Sequence, residues 1–216
     1  MEISVVIITF NEERNIARCI TSVKQLADEV IVVDSGSTDN TVQIAKEHGA
    51  QVTHRDWTNY SDQKNFANSL AKGRYILSLD ADEAPSEQLR HSILQAKQAG
   101  LQGAYSVARL TNYCGTWIRH GGWYPDIKVR LFPKEETHWT GEHVHETLQL
   151  GIGVKTTLLK GDLLHYSFYS VEQHERQAEH FASLAAKALH ARNKRSSRLK
   201  IILSPVVRFV QGYLFR

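Results

Sequence analysis

Two hydrophobic patterns alternate along the first hundred residues. Ile3–Phe10 (ISVVIITF) is a nearly unbroken β-branched run, which is how a strand buried on both faces reads. Ile16, Ile20 and Val23 then recur at helical spacing, with Asn11 able to cap that helix and Glu12 and Glu13 near its positive end. Glu29–Asp34 (EVIVVD) predicts a second buried strand. A helix capped by Thr38 or Asp39 follows, running to about His48, where Gly49 stops it. Gln51–His54 predicts a short third strand, and Ser61 a cap for a helix carrying Phe66, Ala67, Leu70 and Ala71, with a stop at Gly73. Arg74–Leu79 (RYILSL) predicts a fourth strand ending at Asp80, and Ser86 caps a helix that stops near Gly100.

Such alternation predicts βαβ units, a mainly parallel sheet and right-handed crossovers. Ligands of open α/β sheets bind at the carboxyl ends of the strands. The polar residues that follow these strands, Asn11, Asp34–Asp39 and Asp80–Glu83, therefore converge on one edge. From 101 to 168 the pattern changes. Short β-like pieces (Ala104–Leu110, Ile127–Phe132, Val154–Leu159, Leu163–Tyr166) are separated by loops rich in glycine and aromatics, such as HGGWYPD and HWTGEHVHE. Ser170 with Gln173 forms a capping box for a helix to about Arg192. Ser204–Pro205 reads as the opening of a last helix.

Composition narrows the class. At 216 residues, with 42% hydrophobic and 23% charged residues, the chain has the make-up of one ordinary globular domain. Cys19 and Cys114 cannot build a disulfide framework and lack zinc spacing, which favours a reducing, cytosolic compartment. No signal peptide is expected from the N-terminus, and no uncharged apolar run of about 18 residues predicts a membrane span. The net charge of +3 is divided unevenly. Seven Lys/Arg and no Asp or Glu lie between Arg192 and Arg216, which leaves the rest of the chain at −4. A +7 tail implies an anionic partner. Leu199, Ile202, Leu203, Val206 and Val210 would share one helical face beside those cations, the pattern of a segment lying on an anionic bilayer. The plainer alternative is a helix docked on the protein's own core. Nucleic acid is not expected as a partner, since no RNP or helix-turn-helix pattern is present.

Candidate chemistry gathers at the strand ends. Asp80-Ala81-Asp82-Glu83 sets carboxylates on alternate residues after a strand, where they can reach one Mg²⁺ or Mn²⁺ that keeps sites for substrate phosphates. Asp34 can accept from a base N–H or a ribose hydroxyl, while Thr38 and Asp39 read better as helix-capping residues. Thr9, Asn11 and Glu12 end the first strand. Lys64 could meet a diphosphate or be a solvated surface lysine. Glu142, His143, His145 and Glu146 crowd one loop, but the second histidine of a His-Glu-x-x-His site is absent. A carboxylate there could act as general base. His165 is a metal ligand or a polar strand end. Arg130 could pair with an anionic group, and Trp117, Trp123 and Tyr124 could stack on a sugar or form a small aromatic core. There is neither a P-loop nor a dinucleotide fingerprint.

The ordered set IITFNEE, VIVVDSGSTDNT, DQKNFA and LSLDADE resembles the inverting family 2 glycosyltransferases, whose fold is GT-A. GGWYPDIKVRLF, GEHVHE and LLHYSF are similar to the bacterial lipopolysaccharide-core β-1,4-glucosyltransferases of that family. The resemblance implies a Rossmann-like α/β domain over 1–191 with a mainly parallel sheet and C-terminal helices. Its nucleotide-sugar half would be 1–100 and its acceptor half 101–168, followed by the basic segment 192–216. It implies that Thr9, Asn11, Glu12, Asp34 and Ala81 line the nucleotide-sugar pocket with Asp34 on the uracil, that Lys64 approaches the diphosphate, and that Asp80 meets the ribose or the metal. It further implies Asp82 and His165 as ligands of a divalent cation and Glu146 as the base. Trp123, Tyr124, Arg130, Glu142 and His145 are left for the acceptor side.

The implied donor is a UDP-sugar, most simply UDP-glucose. The implied acceptor is a lipid-linked saccharide such as inner-core heptose, met at the inner face of the cytoplasmic membrane by a peripherally attached cytoplasmic enzyme. Alternatives are transfer to another polysaccharide or lipid, a non-catalytic nucleotide-sugar binder, and a nucleotidyltransferase, which would need a glycine-rich, arginine-bearing first loop. Relatives of this kind often continue past residue 216, so a longer parent chain is one expectation.

Overall fold

In the computed structural model, which describes residues 1–141, 146–191 and 193–214, four parallel strands are the frame of the site. They are β1 (Ile3–Thr9), β2 (Glu29–Asp34), β3 (Gln51–His54) and β4 (Tyr75–Asp80), ordered β3-β2-β1-β4. Helices α1 (Ile16–Val23), α2 (Thr41–Glu47) and α3 (Tyr60–Leu70) connect them, and α4 (Glu87–Gln98) follows the short β5 (Glu83–Pro85). The β1 side chains explain the unbroken apolar run. Ile3, Val5 and Ile7 pack with Ile16, Ile20, Leu77 and Ile93, whereas Val6 packs with Ile31, Ile76, Ala67 and Phe132. A strand with a core on each side leaves no face for polar residues.

The sheet continues beyond β4 through β8 (Asp126–Pro133), β6 (Ala104–Tyr113) and β11 (Thr156–Phe168) to β5, with β7 (Thr116–Ile118) on β6. The β4–β8, β6–β7 and β11–β5 pairs are antiparallel, so the sheet is mixed and its parallel part is β1 to β4, residues 3–80. A separate hairpin joins β9 (Thr137–Thr140) to β10 (Thr147–Leu150). The chain divides into two compact units. One is Met1–Arg109 with Ile127–His165, the other Leu110–Asp126 with Tyr166–Arg216.

Several local expectations are corrected. Asn11 does not cap α1, which begins five residues later behind Asn15; Asn11 instead takes a left-handed conformation, φ 55°. The cap of α3 is Asn59, whose side chain accepts from the Asp62 N–H, and Ser61 is the second residue of the helix. Ser86 caps α4 as expected, accepting from the Leu89 N–H. The two pieces 154–159 and 163–166 are one strand, β11; Gly161, at φ +95°, sits within it, and a Cβ there would stand 2.4 Å from the Leu89 nitrogen. The last helix does not open at Ser204–Pro205. Helix α6 (Arg198–Leu214) begins behind Ser197, whose hydroxyl accepts from the Lys200 N–H, and Pro205 lies inside it. Leu199–Leu203 hold no breaker, so the helix forms before the proline is reached.

In the second unit, Tyr113, Trp123, Phe168 and His174 form a ring cluster, Trp123 meeting its three neighbours edge-on. This is the aromatic-core reading of Trp123. Trp117 packs on Tyr166, and Arg119 lies over the Tyr124 ring. Helices α5 (Val171–Ala191) and α6 complete the unit. No helix among the described residues is long and apolar enough to cross a membrane.

Candidate active site

Register brings the polar strand ends together. Thr9 lies beside Asp34, Asp34 beside His54, and Ile8 beside Asp80. The turns after β1 and β2 are laced to each other. The Asn11 N–H donates to Ser37 Oγ at 2.8 Å, Asn11 Oδ1 accepts from the Thr38 N–H at 2.8 Å, and the Glu12 N–H donates to Thr41 Oγ1 at 2.7 Å. The Asp34 carboxylate accepts from the Gly36 and Ser37 N–H groups, each at 2.9 Å, and from the Ser37 hydroxyl. Asp34 thus also closes its own turn, the role weighed for Thr38 and Asp39. Asp39 does so too, accepting from the Thr41 N–H at the start of α2. The Thr9 hydroxyl is buried at the strand end and finds no partner among the described residues, a donor left over for a ligand.

The carboxylates after β4 are held by buried cations. Lys64, 2% exposed, is not a surface lysine: Nζ stands 3.3 Å from Asp80 and 3.1 Å from Glu146, over the Trp139 ring. Arg130, expected to meet an acceptor, is likewise buried; its guanidinium donates to Asp80 at 2.8 Å and to Glu83. Arg109 stands 3.4 Å from the same Glu83 oxygen, Oε1, while the other oxygen, Oε2, accepts from the Asp80 N–H. Burial opposes ionisation of Asp80, but Lys64 and Arg130 outweigh it and hold the carboxyl far below the usual carboxylate range. Burial likewise works against the Arg130 charge, and Glu83 and Asp80 reverse the effect.

Asp82 and His165 form a second pair. Strand β11 brings His165 beside Glu83, and its Nε2 lies 3.1 Å from the Asp82 carboxylate. Burial lowers the basicity of His165, yet the hydrogen bond and charge of Asp82 raise it above the ordinary histidine value. Burial pushes Glu12 up to about 7, aided by the charges of Asp82 and Asp39 and opposed by a hydrogen bond from Asn15. No group of three or more His, Cys, Asp or Glu side chains is preassembled for a metal ion among the described residues. Asp82 and His165 nevertheless fit a divalent cation, as a carboxylate oxygen and an imidazole nitrogen side by side, with the remaining positions left to phosphate oxygens and water. Asp80 fits less well, because its carboxylate is engaged by Lys64 and Arg130.

The structure thus gathers Thr9, Asn11, Glu12, Asp34, Lys64, Asp80, Ala81, Asp82, Glu146, His165 and Arg130 in the first unit, while Trp123 and Tyr124 belong to the second. Glu142, His145 and Arg192 lie outside the described residues.

A model of glycosyl transferase family 2 matches residues 4–160. The chain belongs to that family. It is 35% identical to an uncharacterized glycosyltransferase of Rickettsia typhi, over the whole of this chain and 77% of the relative. To the lipopolysaccharide core biosynthesis glycosyltransferase LpsC of Rhizobium meliloti it is 26% identical, over 99% of this chain and 81% of the relative. Among solved structures, glucosyl-3-phosphoglycerate synthase of Mycobacterium tuberculosis, in complex with Mn²⁺, UDP and glucosyl-3-phosphoglycerate, superposes with a TM-score of 0.57 at 18% identity over 91% of this chain and 81% of that one. TarS of S. aureus gives 0.54 at 15% identity over 77% of this chain and 60% of that one. The fold is therefore GT-A.

Within this family 2 chain, three contributors were not singled out for the site from sequence. Glu83 is wholly buried and links Arg130, Arg109 and the Asp80 backbone; its place in the DADE run was the available signal. Arg109 sits mid-strand and gave none. Tyr60 opens α3, its phenol pKa raised by burial and then by the charges of Asp80, Glu146 and Asp82, and a lone tyrosine at a helix start carries no signal either.

Proposed function

We propose that this chain transfers glucose from UDP-glucose, with inversion, to a lipid-linked saccharide of the lipopolysaccharide core. The observation that carries the reading is Lys64, whose single ammonium joins Asp80 of the nucleotide-side strand ends to Glu146 of the β9–β10 hairpin. A donor-side carboxylate and a candidate base thus stand within reach of one buried cation. The likeness to LpsC supports the acceptor class, and the TarS structure in complex with UDP-GlcNAc and the synthase structure with UDP support a uridine donor. On this reading Thr9, Asn11 and Asp34 hold the nucleoside, with the unpartnered Thr9 hydroxyl turned to the ligand.

Glu146 takes the proton of the acceptor hydroxyl as its oxygen bonds to the anomeric carbon. The bond from that carbon to the diphosphate oxygen breaks, its electron pair leaving with UDP. Attack opposite the leaving group turns an α-linked donor into a β-product. Asp82 and His165 would hold a divalent cation, Mg²⁺ or Mn²⁺, which when bound supplies neutralisation of diphosphate charge. Lys64 is placed to share that neutralisation, and Arg130 keeps Asp80 ionised. The test is UDP release from UDP-glucose with heptose-terminated truncated core as acceptor. Glu146→Gln should lower transfer by about a thousandfold or more, some 4 kcal/mol, with UDP-glucose affinity unchanged. Near-normal turnover would remove Glu146 from the role.

Helix α6 supplies the membrane side of the proposal. At 3.6 residues per turn, Leu199, Ile202, Leu203, Val206, Phe209 and Tyr213 lie on one side and Lys200 and Arg208 on the other. All six apolar residues are exposed. A basic amphipathic helix of this kind lies in the surface of an anionic bilayer, here the inner face of the cytoplasmic membrane. Flotation with phosphatidylglycerol vesicles and not with phosphatidylcholine vesicles is the expected result; flotation with neither removes this part.

A further inference from the structure

We infer that helix α3 is the template that fixes Glu146, with Ser61 and Asn65 as positioning residues acting through the β9–β10 hairpin; this rests on Glu146 being the base. Ser61, Lys64 and Asn65 are spaced i, i+3 and i+4, so they share one face of α3. Each fastens a different point of the hairpin. The Ser61 hydroxyl donates to the Gly141 carbonyl at 2.9 Å. The Asn65 amide bonds the Trp139 backbone in both directions, donating to its carbonyl at 2.8 Å and accepting its N–H at 2.9 Å. It stands where the peptide of a further strand would pair. Lys64 reaches Glu146 itself. The Trp139 ring is pinned from within, edge-on to Phe132 and beneath the Lys64 ammonium.

Gly141 and Glu146, the described flanks of the hairpin's connection, are thereby tied to the same helix face. That face belongs to the helix between β3 and β4, and its Lys64 also reaches Asp80 at 3.3 Å. A base must stand within hydrogen-bond reach of the proton it takes, and a misplacement of about 1 Å costs on the order of a hundredfold in rate. Among the described residues the side chains of Ser61 and Asn65 bond residues 138–141 of the hairpin and not Glu146, so their effect on the base has to pass through the hairpin. A merely structural role would weaken folding without regard to Glu146.

The test is a double-mutant cycle on the full chain, with UDP-glucose and truncated core as substrates. Asn65→Ala should lower kcat about tenfold with KM for UDP-glucose unchanged. In a Glu146→Asp background the same change should cost under about twofold, since the base is already displaced. Ser61→Ala, expected to lower kcat about threefold, serves if Asn65→Ala folds poorly. Backbone hydrogen exchange over residues 137–150 should quicken at least about tenfold in Asn65→Ala, a readout that needs no acceptor. Equal losses in both backgrounds, or unchanged exchange, overturn the inference while leaving Glu146 as base. An active Glu146→Gln overturns the base assignment instead.

Discussion

Two regions break the ordinary arrangement of apolar groups inside and charges outside, and they break it in opposite senses. At the strand ends of the first unit, Lys64, Glu83 and Arg130 are almost wholly buried. Along α6 of the second unit, Ile202, Phe209 and Tyr213 are 68%, 67% and 77% exposed. A buried ion costs several kcal/mol unless it is paired, and each large apolar side chain left in water forgoes about 1.5–3 kcal/mol. The first breach is compensated within the chain, since each of these charges has an opposite charge within 3.3 Å. The second has no compensation among the described residues. Buried charges need their counter-charges within the chain, whereas an exposed apolar face finds compensation only if a partner covers it.

The comparison breaks most sharply at Arg130. Arg130→Met keeps most of the volume but leaves Glu83 and Asp80 with weaker counter-charge, and the expected loss is about 3–5 kcal/mol in urea unfolding. A loss below about 1 kcal/mol would mean that the cluster is not closed by this guanidinium, and the contrast with α6 would fail.

Asp28 gives a milder, pH-dependent form of the same compensation. Its carboxyl accepts from the N–H groups of Glu2 and Ile3 and pairs with Lys97 at 3.1 Å. The Glu2 bond first, then those of Ile3 and Lys97, outweigh burial and hold it down to about 2. A depressed carboxyl stabilises the folded state above its unfolded value near 4, and that contribution fades as the pH falls through about 2. With a third of the side chain open to water, screening leaves about 1–2 kcal/mol. Asp28→Asn should cost that much at pH 7 and nearly nothing at pH 2; a loss equal at both would assign the effect to packing.

The strands and the strand-end carboxylates were legible because each rests on local order: a continuous apolar run, then a polar residue at its end. β1 to β4 and the cap at Ser86 follow from neighbours in sequence. The counter-charges do not. Arg130 and Arg109 lie on strands whose pairing with the rest of the sheet is long-range, so periodicity gave Arg130 no depth and Arg109 no role. Lys64 looked the same as any helix-surface lysine until β9 and Glu146 closed over it. Asn11 was misread as a helix cap because the signature of a cap and that of a left-handed turn residue are alike in a single sequence. At Ser204–Pro205 a true first-turn signature is overridden by an earlier cap, and 154–159 and 163–166 read as two pieces because Lys160, Gly161 and Asp162 interrupt the apolar run although one strand passes through them.

The smallest effect on the fold is expected at the other pole of the comparison. Ile202→Ser with Phe209→Ser removes two large apolar groups that are already in water, so stability should change by under about 0.5 kcal/mol. Folding gains little from groups that folding does not bury. If α6 lies in an anionic bilayer surface, the same pair of changes removes about 3–6 kcal/mol of apolar transfer, and vesicle binding should fall a hundredfold or more. The contrast is between two readouts of one variant: melting temperature within about 2 °C of the parent, and flotation with phosphatidylglycerol vesicles lost. A drop of more than about 5 °C would mean that the face is packed in the folded protein in solution, and the exposed breach would become a buried one like the first.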